Sequence, residues 1–205
     1  MSQIKLKHSG GNSVIIAAPD SNPASDRTLK LPSDGDGTIL TTNTAVGKIL
    51  QVKSATKTDT ASINSKTFAD ISDLTVTLIT PQSGSKVLVS CDLMIGSEDN
   101  NAAAFKLFRD STAIGVSTQG TGNTTNVTFG VGLKNGSFEF HTASVGYQIL
   151  DTHGADGSTN VVYKLQWSRQ SNSSRTLYIN RSHQTDDQSY TLYGTSTITA
   201  MEVAA

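Results

Sequence analysis

The chain has 205 residues, enough for one β-sandwich or for a small module followed by a domain of about 150 residues. Charged residues make up 16% of it, with 16 basic and 17 acidic side chains, and no stretch gathers Lys and Arg into a stripe able to neutralise successive phosphates. Nucleic acid is therefore not an expected partner. The longest apolar runs, 14–18 and 87–89, fall far short of the roughly 20 residues of a membrane-spanning helix, so no membrane insertion is expected either.

In chain order, the first 47 residues differ from the rest. They hold Pro19, Pro23 and Pro32, two Gly-rich turns at 10–11 and 34–37, and only short apolar pieces. The pieces are centred on Ile4 and Leu6, Val14, Ile15 and Ile16, Leu29 and Leu31, and Ile39 and Leu40. Each buries too little by itself to offset the entropy of ordering it. This β-rich segment is expected to attach to another surface through those residues, with 41–47 as a hinge into a main domain over 48–205.

Within that domain the apolar residues recur at spacing two, the pattern of strands with one buried face. Leu74, Val76 and Leu78 begin the series, followed by Val87, Val89, Cys91, Leu93 and Ile95. It continues through Ala103, Phe105 and Leu107, then Val127, Phe129, Val131 and Leu133, then Val161, Tyr163, Leu165 and Trp167. Turn-forming clusters separate the runs, at 81–84, 98–101, 120–123, 156–157 and 171–174. Asn135 and Gly136, between apolar alternations, predict a two-residue hairpin loop. Eight or more strands joined by short turns predict an all-β fold: an antiparallel β-sandwich, jelly-roll-like. Asp92 breaks the most apolar strand, and Leu88 and Met94 give that strand a second apolar face, which predicts a subunit contact.

Chemistry-bearing residues are sparse. Asp151, His153 and Asp156 place oxygen and imidazole groups in one loop, a weak candidate metal site for which Gly154 and Gly157 already supply a tight-turn explanation. His8, His141 and His183 lie apart from one another. Cys91, the single cysteine, falls inside an alternating strand and reads as core packing rather than as a nucleophile. With no Gly-x-Ser-x-Gly elbow, the acidic pairs Asp186–Asp187 and Glu98–Asp99 are what remains for hydrolysis, and both read as surface charge. Five Asn-x-Ser/Thr sequons, at Asn123, Asn126, Asn135, Asn172 and Asn180, follow from 26 Ser and 27 Thr in the chain. Residues 1–5 lack the features of a secretory signal, which predicts folding in the cytoplasm. No catalytic residue and no cofactor is expected.

Several stretches resemble a module of structural proteins in tailed phages, especially those infecting marine cyanobacteria. They are 47–52 (GKILQV), 56–60 (TKTDT), 74–81 (LTVTLITP), 85–89 (SKVLV), 107–110 (LFRD) and 198–203 (ITAMEV), so the resemblance spans nearly all of 47–205. Residues 29–33 (LKLPS) and 36–40 (DGTIL) are similar to short repeats that begin or punctuate such proteins. The resemblance implies a virion protein, assembled in the host cytoplasm, with a homotrimeric jelly-roll-like domain and contacts to other virion proteins. As a short tail fibre or spike it would touch a host glycan or surface protein through Trp167, Tyr178, Tyr190 and Tyr193. As a capsid decoration protein it would clamp the head through residues 1–47. A polysaccharide depolymerase is a third, distant reading. The chain departs from a typical tail fibre in having no long repetitive or coiled-coil shaft.

Overall fold

The computed structural model describes residues 3–7, 9–11, 13–17, 48–98, 101–133, 140–170 and 174–205. The expected docking residues Leu29, Leu31, Ile39 and Leu40, the hinge at 41–47 and the expected hairpin loop at Asn135 and Gly136 lie outside them. The chain divides into two compact units, 1–44 and 45–205. In the first unit, β1 (Gln3–Lys7) and β2 (Ser13–Ala17) form an antiparallel hairpin whose register sets Ile4 opposite Ile16 and Leu6 opposite Val14.

The second unit is an all-β, jelly-roll-like sandwich, and no helix among the described residues is long and apolar enough to cross a membrane. One sheet is built from β3 (Ile49–Lys57), β4 (Ala61–Ile63), β6 (Lys86–Ser97), β10 (Thr142–Asp151), β12 (Leu177–Ile179) and β13 (Ser196–Val203). The long β6 is its spine. β10 runs along one edge of β6, while β13 and then β12 share the other edge, flanked in turn by β3 and β4. The second sheet has the order β5 (Ala69–Leu78), β11 (Val161–Arg169), β7 (Asn101–Arg109), with β8 (Thr112–Ile114) and β9 (Phe129–Leu133) sharing the far edge of β7. Treating β3 and β4, β8 and β9, and β12 and β13 each as one interrupted strand leaves eight strands, ordered β3, β13, β6, β10 in one sheet and β5, β11, β7, β9 in the other, so that first lies beside last. That order is the double Greek key of a jelly roll.

The two inner faces close on one core. Leu74, Val76 and Leu78 of β5, Val87 to Ile95 of β6 at every second position, Phe105 and Leu107 of β7, and Tyr163, Leu165 and Trp167 of β11 are all buried in it. Each such side chain stabilises the fold by about 1.5–3 kcal/mol. Burial pushes the Cys91 thiol up to about 12, with the neighbouring Asp92 charge adding to the effect, so the sulfur is an inert packing group.

Asp92 itself needs no buried partner. It sits between the inward-facing Cys91 and Leu93, and the period of two turns its side chain to the outer, exposed face. Val127 falls outside β9, which begins at Phe129. β3 departs from apolar-inward alternation, because Gln51 and Lys57 share the inward parity of Ala55, while Val52 on the other face is 50% exposed and Ile49, at the strand's start beside a register shift, is 52% exposed. Both polar side chains are held by named partners. Lys57 is buried and donates to Asp59 (2.7 Å), Ser72 (3.0 Å) and Asp73 (3.3 Å). Its burial works against the charge, yet those carboxylates outweigh it and raise its pKa.

Candidate functional site

The strongest polar constellation lies where β3, the start of β6, the end of β13 and the β10–β11 loop meet. The Glu202 carboxylate accepts three hydrogen bonds of 2.6 Å each, from Gln51 Nε2, from the Gln82 backbone N–H and from Ser85 Oγ. Ser85 Oγ also lies 3.0 Å from His153 Nε2, and Glu202, Ser85 and His153 are all buried. A serine, a histidine and a carboxylate thus come together, which sequence order alone did not suggest.

Their wiring is not that of an acyl-transfer triad. The Ala155 backbone N–H donates to His153 Nδ1 at 2.9 Å, so in the neutral ring this network assigns the proton to Nε2, the atom facing Ser85. That nitrogen donates to the serine and has no lone pair with which to take its proton. The carboxylate bonds the serine rather than orienting the imidazole. The cluster is a clasp, fastening the β10–β11 loop and both ends of the chain's path through this corner. Burial opposes ionisation of Glu202, but its three donors and the nearby His153 outweigh that and lower its pKa.

The weak metal candidates go to separate partners. Asp151 is buried; Arg109 Nη1 lies 2.9 Å from each of its carboxylate oxygens, and the Tyr163 hydroxyl donates to it at 2.7 Å. His153 belongs to the clasp. Asp156 is exposed and caps its own turn through the Ser158 backbone N–H (2.9 Å) and hydroxyl (2.6 Å), which lower its pKa. Among the described residues, no three His, Cys, Asp or Glu side chains gather as a metal-holding group. Asp186 and Asp187 are exposed in the loop between β12 and β13, where the Asp186 carbonyl accepts bonds from Gln188 and Thr191.

The aromatic residues expected to face a receptor divide into two groups. Trp167 is 3% exposed, because its parity in β11 points it into the core. Tyr178 is 8% exposed: it turns outward between the buried Leu177 and Ile179, but Arg181 stacks 3.9 Å above its ring and His183 Nδ1 lies 3.0 Å from its hydroxyl. Neither offers a face to a ligand. Tyr190 and Tyr193, in the same β12–β13 loop, are 53% and 61% exposed, with Tyr190 set edge-on against Phe140.

The outer face of the β6 sheet carries a feature of another kind. The register places Val52, Met201, Leu88 and Leu150 side by side, one from each of β3, β13, β6 and β10. Leu150 is 55% exposed, Val52 half exposed, and Leu88 and Met201 partly so. An apolar row spanning four adjacent strands of the sheet is the kind of surface that protein contacts use.

Fold and sites together define a jelly-roll β-sandwich with one apolar outer row and no assembled catalytic group among the described residues. No known protein family matches the sequence, and no curated protein does. Among solved structures, a chain in the structure of the infectious bursal disease virus Gx strain aligns over 94% of this chain at 14% identity, with a TM-score of 0.35. The alignment covers 48% of that chain, so this one spans about half its length. At that identity and score the likeness says nothing about what this chain does.

Proposed function

We propose that the protein is a non-enzymatic structural component of a virus particle, a short tail fibre or spike in which a homotrimer displays the sandwich and residues 1–47 dock it to other virion proteins. The observation that carries this reading is the apolar row Val52, Met201, Leu88 and Leu150, on the outside of a jelly roll, a fold that viral capsid and lectin domains use. A fold does not fix a function, but a row of large apolar side chains in water calls for a subunit. Closed three-fold assembly would cover it in every copy, whereas a contact that failed to close would give filaments. The β1–β2 hairpin, too small to be stable alone, fits a docking element.

Light scattering of the full chain at micromolar concentration should give three times the 21.6 kDa chain mass. A monomer mass would overturn the assembly and the use assigned to the row. Labelling particles with an antibody to the chain should mark the tail, and label over the head would make it a decoration protein instead. Removing residues 1–43 should leave the melting temperature of the sandwich nearly unchanged while abolishing incorporation into particles. A truncated chain that still assembles would place docking elsewhere.

A further inference from the structure

β10 stands at the edge of the β6 sheet, and among the described residues no strand pairs with its other side. Which of its backbone groups point that way follows from β6. The Met94 N–H donates to Ser196 Oγ at 3.1 Å and the Met94 carbonyl accepts from the Asn180 N–H at 2.9 Å, both on the β12–β13 side. In an antiparallel sheet a residue's N–H and C=O share one side, and the sides alternate along the strand. Even-numbered residues of β6 therefore face β12 and β13 and odd-numbered ones face β10, where the register pairs Leu93, Cys91 and Val89 with Val145, Tyr147 and Ile149. That leaves the N–H and C=O of Thr142, Ser144, Gly146, Gln148 and Leu150 on the open side, at intervals of about 7 Å.

The other described edges are guarded, and this one is not. β4 and β8 have three residues each and β9 has five, which offers little to pair with. β3 carries Lys53, Lys57 and a register shift against β13, and its Gln51 side chain already bonds the Ile79 N–H (3.1 Å) and carbonyl (2.9 Å). β5 carries Asp70, Asp73 in the left-handed region at φ 65°, and a register shift against β11. β10 runs for ten residues in unbroken register without Lys, Arg or Pro, and its one charged residue, Asp151, is at its end and buried. Shortness, charge, proline and bulges are the means by which sheets refuse other chains. A long edge with none of them is built to accept one.

Alternating donors and acceptors at that spacing have one complement, an extended polypeptide backbone. Leu150 indicates whose. It ends the apolar row on this same strand, so a chain that covers the row is brought to the β10 edge as well. A strand added there would also cover Val145 and Ile149, which face the core from β10 and are only partly buried. We propose that β10 accepts a strand from a second copy of this chain, so that main-chain hydrogen bonds carry the sheet across the subunit contact. The inference rests on the assembly reading and deepens it: the apolar row supplies burial, and the β10 edge supplies direction and register.

Amide hydrogen exchange of the full chain, resolved by residue at the concentration used for light scattering, tests it. The amides of Ser144, Gly146 and Gln148 should exchange about a hundredfold more slowly than unpaired ones, as do those of Val145 and Tyr147, which bond β6. Gln148→Pro removes one outward N–H, leaves every bond to β6, and sets proline where an edge strand tolerates it. It should weaken association about tenfold while keeping the β-sheet circular dichroism of the parent. Should that variant misfold, exchange in the parent chain decides alone. Outward amides that exchange freely in a chain of trimer mass, or a Gln148→Pro trimer as tight as the parent, would overturn the strand pairing and leave the trimer standing. A monomer mass would overturn both, even with those amides protected, because the cover would then come from the chain itself.

Discussion

The two outer faces of the sandwich share a core and differ in what they present to the outside. On the β5–β11–β7 sheet, charged and long polar side chains cover the surface: Lys164 and Gln166 both reach Asp70, at 2.8 and 2.7 Å, and Lys106 lies 4.5 Å above the Phe68 ring. Lys164 likewise lies 5.9 Å from the centre of the Phe108 ring. On the β6 sheet, Leu88, Val52, Met201 and Leu150 stand in a row about 14 Å wide with nothing long and polar between them. The inward alternation of both sheets is the same, so burial of the core does not distinguish them. The outward residues do: long polar side chains on one face, a row of four apolar side chains on the other.

The largest expected effect comes from breaking the row at its centre. Leu88→Glu combined with Met201→Glu puts two adjacent like charges, each on the outer face, where neither perturbs the core. The trimer mass should collapse to the monomer mass, with the β-sheet circular dichroism of the parent retained. A trimer that survives both charges would mean that the face is not the contact.

Acid separates the contact from the fold. Glu202 has its pKa lowered below the ordinary carboxylate value, so its contribution is fully present above that value and is lost as pH falls through the depressed one. The four apolar row residues do not titrate. Loss of trimer in acid should therefore coincide with unfolding rather than precede it. Glu202→Gln should cost about 2 kcal/mol at neutral pH, because a neutral amide accepts fewer of the three donors and turns an N–H toward them. It should also flatten the acid limb of a melting-temperature profile. A variant with an unchanged acid limb would show that another carboxylate governs it.

A smaller effect is expected at the end of the row. Leu150 lies on the edge strand β10 and is more than half exposed, so Leu150→Lys should weaken association about tenfold, roughly 1.4 kcal/mol, without abolishing it. Sedimentation over a concentration series measures the shift, and no shift would confine the contact to β6, β13 and β3.

How much of this could be read from the sequence depended on whether polarity followed parity. In β6 and β11 the inward positions did: Val87 to Ile95 and Val161 to Trp167 are apolar and buried at every second residue, although Leu88, Met94 and Val162 are apolar on the other face. β3 was hidden because its inward positions hold Gln51 and Lys57, whose partners Glu202, Asp59 and Asp73 are close in space but mostly distant in sequence. β10 was hidden because Leu150 follows Ile149, so apolar residues face both ways. The Ser85, His153 and Glu202 clasp spans 117 residues of chain, and no local spacing announces it. Trp167 as a surface platform conflicted with its own alternation, since Tyr163, Leu165 and Trp167 share one face of one strand. Tyr178 was lost for another reason, the Arg181 and His183 side chains that fold back over it.

The smallest effect expected is on the polar face. Asp70 receives two hydrogen bonds, first from Lys164 and then from Gln166, and together with the Lys164 charge they lower its pKa. Its side chain is 55% exposed and that of Lys164 28%, so water screens most of the attraction, and holding two long side chains in place opposes the rest. Asp70→Ala should therefore change stability by no more than about 0.5 kcal/mol. It should leave the trimer mass untouched, because charge on this face serves solvation rather than contact. Thermal melts and light scattering on the one variant check both halves. A fall in oligomer mass from this substitution would mean that the charged face, not the apolar row, meets the neighbouring chain, and the contrast between the two sheets would have to be drawn the other way round.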